Sequence, residues 1–297
     1  MKKRIFTCAF TFLFTFFICS CLLAAGHGKS RPGKKGILLV TFGSSIPEAQ
    51  IAFENIDRQV REAFPGMPVR WAYTSHIIRH KLAKQGKQLD SVETALAKMM
   101  DEGFTHVAVQ SLHTIGGEEF HDLQKNANLF GQMAGGIEHI VVGYPLLGTA
   151  EDLMRAAEAM IHHIPPTRKN DEAVVLMGHG TPHPSNAFYA AFMYQLQRLD
   201  PNIFVGTVEG SPGIDDIKEI LLKKGIKKAY LMPFMSVAGD HARNDMAGED
   251  EDSWKSILTR AGVDCEPILK GTAEYNDIVN IWIDHLKAAL TRLQVRE

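Results

Sequence analysis

Three residues that can bind a metal each follow a separate apolar segment of the chain. His179 follows "AVVLMG", Glu209 follows "IFVGTV", and His241 follows "KKAYLMPFMSVAGD". In an open parallel sheet, ligands bind in the crevice beyond the carboxyl ends of the strands. Two imidazoles and one carboxylate in such a crevice, with room for a further ligand, suit a divalent first-row metal that is either substrate or catalyst.

His179 and Glu209 each have a structural alternative to metal binding. His179 lies between two glycines, which permit a tight turn and a close approach of a ligand to the backbone. An imidazole here could also cap the next helix. Glu209 could cap the helix that begins near Pro212, because carboxylates are favoured at helix N-termini. Ser211 is the better cap, which leaves Glu209 for the cleft.

His241 lies in the polar segment "AGDHARNDMAGEDEDSW", so it is not a core histidine. Asp240, Asp245 and the acids at 249–252 could form no more than a solvated face. They could also orient His241 or attract a cation. We predict His179, Glu209 and His241 as the metal ligands, with the first two also catalytic.

Other polar residues follow strands of the first half of the chain. His113 in "SLHTIGG" could line the cleft opposite the metal ligands. Arg79 and Lys81, on a segment that also carries two histidines, could meet an anionic substrate or be exposed residues of an ordinary helix. His121 in "GEEFHDL" is predicted to face outward, where a histidine can serve as an axial haem ligand or as an oligomer contact.

These residues must be positioned by an alternation of strands and helices. The predicted strands are 37–42, 69–74, 105–111, 137–144, 173–178, 203–208, 227–233 and 263–268. Apolar residues at three- and four-residue spacing predict helices within 47–64, 90–102, 150–163, 184–199, 212–224 and 275–292. Strands this apolar, separated by helices, are typical of a parallel sheet covered on both faces.

The order of elements repeats once. The first and fifth strands each lead into a turn, a proline and a helix, and placing Gly117 on Gly239 sets Glu119 against His241. We therefore predict an α/β fold of two similar doubly wound halves, each with a parallel four-stranded sheet, and a cleft between them that holds the ligand. The halves are predicted at 36–164 and 165–297, with the metal site in the second.

The N-terminus has the pattern of an export signal. Three cations at positions 2–4 precede the apolar stretch "IFTCAFTFLFTFFICSCLLAA", and small residues follow. We predict a signal peptide at 1–25, a polar linker at 26–35, and a periplasmic protein with no stable membrane span after cleavage. An uncleaved anchor and a lipoprotein at Cys21 are the alternatives.

Composition excludes several classes of protein. Three of the four cysteines lie in the predicted signal, so the exported part keeps only Cys265 and has no internal disulfide. Loss of the three N-terminal cations takes the formal charge from −2 to −5, and "KSRPGKK" is the only basic run, which argues against a nucleic-acid partner. The P-loop, G-x-G-x-x-G, H-E-x-x-H and G-x-S-x-G motifs are absent.

Four segments closely resemble the anaerobic cobalt chelatases of cobalamin biosynthesis: "ILLVTFGSS", "MGHGTPHPSN", "VEGSPG" and "MPFMSVAGDHARNDMAGEDEDSW". The resemblance covers nearly all of residues 36–292. It implies two α/β halves around a cleft for sirohydrochlorin, an octacarboxylate tetrapyrrole, and it places the family's metal-binding His, Glu and His on His179, Glu209 and His241. Expected contacts to that substrate are Ser44, His113, Arg70, Arg79 and Arg243.

Two functions from different classes follow from this resemblance. The first is an enzyme, a lyase that inserts Co²⁺, with Fe²⁺ as a second candidate metal, into sirohydrochlorin without an organic cofactor. Because the predicted export signal departs from the family's expected cytoplasmic location, the second is an exported carrier or scavenger of haem or metal. Haem could bind at His121 in the second case. The sequence leaves the metal and the oligomeric state open, with a homo-oligomer as one option.

Overall fold

The computed structural model describes residues 31–294. The strands are β1 Lys35–Thr41, β2 Val69–Tyr73, β3 His106–Ser111, β4 His139–Gly143, β5 Ala173–Gly178, β6 Ile203–Thr207, β7 Lys228–Pro233 and β8 Asp264–Pro267. The α-helices are α1 Gln50–Ala63, α2 His76–Ala83, α3 Val92–Asp101, α4 Glu118–Gln132, α5 Ala150–His162, α6 Ala187–Leu199, α7 Ile214–Lys223, α8 Trp254–Arg260 and α9 Asn276–Gln294. The predicted signal peptide and residues 26–30 of the predicted linker lie outside the described residues, and both stay predictions.

The strands form two sheets with the same topology. The first half of the described chain gives the order β2-β1-β3-β4 and the second gives β6-β5-β7-β8, with every pairing parallel. The central strands β1, β3 and β5 are buried along almost their whole length because helices cover both faces of each sheet. The predicted α/β fold with two four-stranded parallel sheets is confirmed, and β1 takes the last residue of the predicted linker.

Hydrogen bonds at the strand ends repeat between the halves. Ser75 N donates to Phe42 O in the first half, and Glu209 N donates to His179 O in the second. When the two halves are aligned by these hydrogen bonds, Phe42 is equivalent to His179 and Ser75 is equivalent to Glu209. The two halves therefore share a backbone frame, but only the second carries imidazole and carboxylate at these two positions.

The residues that follow the third strand of each half show the same correspondence of backbone hydrogen bonds. Leu112 N donates to Val40 O, and Phe234 N donates to Met177 O. Counting seven residues onward from Leu112 and from Phe234 leads to Glu119 and His241, which agrees with the alignment made from sequence.

The last helix joins the two halves. Helix α9 packs against β3 and β4 of the first sheet, although it follows β8 of the second. Arg155 of α5 donates to Asp284 of α9 at 2.7 Å, and His285 of α9 lies 3.0 Å from the buried carboxylate of Asp152. The two halves are thus not independent in their helix layers, and residues from Gly33 onward form one compact unit. Within residues 31–294, no helix has both the length and the apolar composition needed to cross a membrane.

Candidate metal centre and its cleft

Three consecutive strand ends of the second sheet position the three predicted ligands. His179 follows β5, Glu209 follows β6 by one residue, and His241 lies beyond β7 at the start of a π-helical segment, Ala242–Met246. Glu209 N donates to His179 O at 2.7 Å, so the backbone itself ties these two loops together. Isolated π-helical turns occur frequently at functional sites.

A glycine allows the His179 loop to lie against the Glu209 loop. Gly180 has a φ of +82°, and a Cβ atom there would approach Gly210 N to 2.7 Å and Thr207 Cβ to 2.8 Å. A side chain at this position would be strained and would also clash with backbone. The close approach of the two ligand loops therefore requires Gly180.

One ligand atom from each of His179, Glu209 and His241 lies within 4.8 Å of the other two. The His179 and His241 rings are edge-to-face, with centroids 4.8 Å apart. Ligand atoms around a tetrahedral metal at about 2.1 Å would lie about 3.4 Å apart. The three donors are therefore close enough to bind one ion after a small inward movement of the side chains.

Hydrogen bonds fix the same tautomer for both imidazoles. His179 Nδ1 lies 2.9 Å from Gly180 O, and His241 Nδ1 lies 2.5 Å from Asp245 Oδ2. Because both partners are acceptors, each Nδ1 carries a proton and donates it. The Nε2 lone pair of each ring is left for a metal, as expected for ligands oriented by a second group.

Tyr189 packs against Gly178, the residue that precedes His179. It is 2% exposed on α6, and a Cβ atom on Gly178 would come within 2.4 Å of its ring. Burial raises the pKa of the Tyr189 hydroxyl to about 12, even though hydrogen bonds from the backbone of Gly180 and His179 act in the opposite direction. Tyr189 was not among the predicted site residues, because a tyrosine on an apolar helix face is typical of an ordinary core.

A second polar cluster faces the metal ligands from the first half. Glu119 Oε2 accepts from Thr74 Oγ1 at 2.7 Å and lies 2.9 Å from His113 Nε2, whose Nδ1 lies 2.8 Å from Ser111 Oγ. Burial raises the pKa of Glu119, but the hydrogen bonds from His113 and Thr74 outweigh it, so the pKa of this carboxyl falls below its usual value. Glu119 is therefore an ionised acceptor next to the cleft.

The two clusters line one cleft of about 710 Å³, within the usual size of a small-molecule site. Most of its apolar lining comes from the first half: Phe42, Ile46, Ile77, Ile78, Leu112 and Ile115. The three predicted metal ligands, which we call the dock, come from the second half and line the same cleft. The cleft thus combines an apolar surface that suits a flat ligand with three donor groups that suit a metal ion.

Known proteins share both the sequence and this arrangement of halves. A family model described as cobalt chelatase (CbiK) matches residues 35–291. The sirohydrochlorin cobaltochelatase CbiKC of Nitratidesulfovibrio vulgaris is 48% identical over 260 residues, which cover 88% of this chain and 92% of that relative. The sirohydrochlorin cobaltochelatase of Salmonella typhimurium is 34% identical, with 86% and 97% covered. The chain belongs to the cobalt chelatase (CbiK) family.

Solved structures of other chelatases have the same fold. SirB from Bacillus subtilis with Fe³⁺ superposes with a TM-score of 0.57 at 16% identity, over 86% of this chain and 95% of that chain. CbiX, described as the terminal enzyme of sirohaem biosynthesis in denitrifying bacteria, gives a TM-score of 0.50 at 19% identity, over 86% and 99%. These similarities extend the fold of this CbiK-family chain to more distant chelatases.

The predicted substrate contacts of this CbiK-family chain fall into two groups. Ser44 and His113 line the cleft, whereas Arg79 lies on α2 but is not itself part of the lining. Arg70 lies near the amino end of β2 and donates to Glu102 at 2.8 Å, so it does not line the cleft. The amino ends of the strands are at the edge of the sheet opposite the ligand crevice, which corrects the expectation for Arg70.

Arg243 and His121 were also predicted to have roles. Arg243 follows the dock on the π-helical segment, and its Nε donates to Ala238 O at 3.3 Å. His121 is exposed on α4, and its ring centroid lies 5.1 Å from that of His183. Haem binding at His121 stays a prediction.

Proposed function

We propose that this protein inserts Co²⁺ into sirohydrochlorin, with Fe²⁺ as a second metal that the same donors can bind. The observation that carries the proposal is the dock of His179, Glu209 and His241 facing an apolar wall in one cleft of a CbiK-family chain. Two nitrogen donors and one oxygen donor bind Co²⁺ and Fe²⁺ alike, so the choice of metal depends on supply as well as on the site.

Insertion exchanges two pyrrole N–H protons for one metal ion. His179, Glu209 and His241 hold Co²⁺ through the two Nε2 atoms and a carboxylate oxygen, on the wall formed by the second half. The macrocycle lies between this wall and the apolar residues of the first half. Distortion of the ring by the cleft turns a nitrogen lone pair toward the metal.

The two protons leave toward opposite walls. A side chain that still holds the metal through its lone pair cannot accept a proton, so the first acceptor must be a group other than the dock. Glu119 is ionised and lies in the first half of the cleft lining, where its carboxylate can accept this proton while His113 Nε2 lies 2.9 Å from it. Once Co²⁺ has moved to the ring, Nε2 of His179 becomes free and accepts the second proton.

The test of this function is anaerobic incubation of the purified protein with sirohydrochlorin and Co²⁺, followed by the absorption band of the metallated product. We expect His179→Ala, Glu209→Gln and His241→Ala each to lower kcat/KM for Co²⁺ by about 10²-fold or more, because each removes a ligand that the transition state requires. His162→Ala is the matched control, since His162 is 73% exposed on α5 and lies outside the cleft lining.

Two results would contradict the proposal. One is the absence of product band with wild-type protein and either metal. The other is wild-type turnover in all three ligand variants. Parallel thermal unfolding of each variant separates loss of the dock from loss of the fold.

A further inference from the structure

Charge is unevenly distributed over the cleft. Among the described residues that line it, four are carboxylates, Glu118, Glu119, Glu209 and Asp240, whereas Lys81 is the only lysine or arginine. A macrocycle with eight carboxylates would be repelled by the first group. The edge of the ring that enters beside a cationic part of the rim is therefore favoured.

Helix α2 has the charge that such a substrate needs. It carries His76, Arg79, His80 and Lys81 and no acidic residue. Within residues 31–294, none of these side chains forms an ion pair. Arg70 on the neighbouring strand β2, in contrast, pairs with Glu102 at 2.8 Å.

Among the residues that the structure describes, the guanidinium of Arg79 lacks a hydrogen-bond acceptor for one of its nitrogen atoms. Its Nε atom is buried and has no hydrogen-bond partner within the described part of the chain. A buried donor without an acceptor is costly, and a guanidinium binds carboxylates well. The positive charge of α2 is thus not neutralised by the protein itself.

The cleft-facing side of α2 also carries apolar surface. Ile77 and Lys81 are four residues apart, so they lie on the same face of the helix. Both line the cleft, as does Ile78, and Ile77 is 65% exposed. An exposed isoleucine beside an unpaired ammonium matches the edge of a macrocycle that carries carboxylate side chains.

We infer that α2 is the element that orients the tetrapyrrole: Ile77 contacts the ring edge, and Lys81, with Arg79 behind it, binds peripheral carboxylates. This inference rests on the proposed function and names the part of the site that recognises its substrate. With the carboxylates of one edge held at α2, the ring is oriented so that its nitrogen atoms face His179 and His241.

A metal-binding role for α2 fits the same residues less well. His76 and His80 are four residues apart with ring centroids at 6.1 Å, a spacing that can hold a divalent cation. However, Arg79, Lys81 and Lys84 flank the pair, and their charges repel a cation. We therefore argue for an anionic substrate and let the test separate the two.

The first experiment measures steady-state kinetics of Lys81→Ala with each substrate varied in turn. KM for sirohydrochlorin should rise about 5- to 20-fold, because one charge-assisted contact is lost at an exposed site, with kcat within about twofold and KM for Co²⁺ unchanged. Lys81→Arg should restore binding and Lys81→Glu should weaken it further. Lys84→Ala is the control: it removes the same charge at the C-cap of the same helix, but Lys84 does not line the cleft.

The second experiment measures binding without turnover. Uroporphyrin, an octacarboxylate porphyrin, is titrated by fluorescence into wild-type protein and the variants at low and high salt. Lys81→Ala should bind uroporphyrin about 5- to 20-fold more weakly than wild type. Added salt should reduce this difference in affinity, because salt screens exposed charges. If wild-type protein binds uroporphyrin but inserts no cobalt, and Lys81→Ala loses uroporphyrin binding, the proposed function is overturned and the role of α2 is supported.

Two outcomes would overturn the role of α2. In the first, wild-type protein inserts cobalt while Lys81→Ala and Lys81→Glu keep wild-type KM for sirohydrochlorin and wild-type uroporphyrin binding. In the second, the variants raise KM for Co²⁺ rather than for sirohydrochlorin, which would assign α2 to the metal.

Discussion

Replacement of Asp245 tests whether the dock depends on a hydrogen bond behind one of its ligands. Asp245 Oδ2 lies 2.5 Å from His241 Nδ1, one turn along the π-helical segment. This contact fixes the tautomer that leaves Nε2 of His241 for the metal, and it holds the ring in its orientation. Asn at this position keeps an oxygen acceptor but removes the charge, whereas Ala removes both.

The size of the effect follows from the exposure of the pair. The Asp245 side chain is 45% exposed and that of His241 is 34% exposed, so solvent screens part of the interaction. Loss of a carboxylate behind a ligating histidine costs about 10- to 100-fold in metal affinity. We therefore expect Asp245→Asn to weaken Co²⁺ binding about 5-fold and Asp245→Ala about 20-fold, the latter equal to about 1.8 kcal/mol.

The assay is a Co²⁺ titration of metal-free protein, followed by calorimetry or by the visible absorption of the bound ion, together with KM for Co²⁺ during turnover. Asp252→Asn is the matched control, because it removes one charge from the nearby acidic stretch at an exposed position outside the cleft lining. The reasoning is refuted if Asp245→Ala binds Co²⁺ as tightly as wild type while His241→Ala does not. If Asp252→Asn weakens Co²⁺ binding equally, the effect comes from the overall negative charge of this region and not from the hydrogen bond to His241.

Two further predictions concern carboxylates outside the dock. Glu119→Gln should lower kcat about 10²-fold with little change in Co²⁺ affinity, because it removes the first proton acceptor; single-turnover insertion measures this, and an unchanged rate would remove Glu119 from the mechanism. Asp152→Asn should cost about 3 kcal/mol of unfolding free energy at neutral pH, because it breaks the buried pair with His285 between α5 and α9. Burial raises the pKa of Asp152, but hydrogen bonds from His285 and Thr149 outweigh it and lower the pKa overall, so its contribution is present above about pH 3.9 and is lost as pH falls through the lower folded value. Urea denaturation at about pH 7 and about pH 3 should show the difference between wild type and variant shrinking in acid; an equal difference at both pH values would contradict this.

Much of the fold could be predicted because its signals are local. Each predicted strand overlaps an observed one with bounds that agree to within two residues, since strands buried on both faces are short continuous apolar segments. Helices α2, α4 and α8 were not delimited in advance. Helix α2 is cationic and short, and its two isoleucines line the cleft while only Leu82 is buried, so its apolar periodicity was weak.

Within the candidate site, the predictions that came from strand ends differ from those that came from charge alone. His179, Glu209 and His241 were found because the carboxyl ends of parallel strands meet at one edge. Arg70 was chosen for its charge, and the structure places it at the other end of its strand with Glu102. Glu119 had a signal in the repeat, where it aligned with His241, but nothing local gave it a partner.

The sequence by itself determined which residues stand at the strand ends, because burial and periodicity act over a few neighbouring residues. Only the tertiary structure decided what faces them. The pairing of Glu119 with His113, the approach of Gly180 to Gly210 and the packing of α9 on the first sheet all join residues whose distance depends on how two sheets and their helices pack. Three polar residues predicted from pattern thus became one wall of a cleft whose other wall, and whose cationic rim, no local pattern could supply.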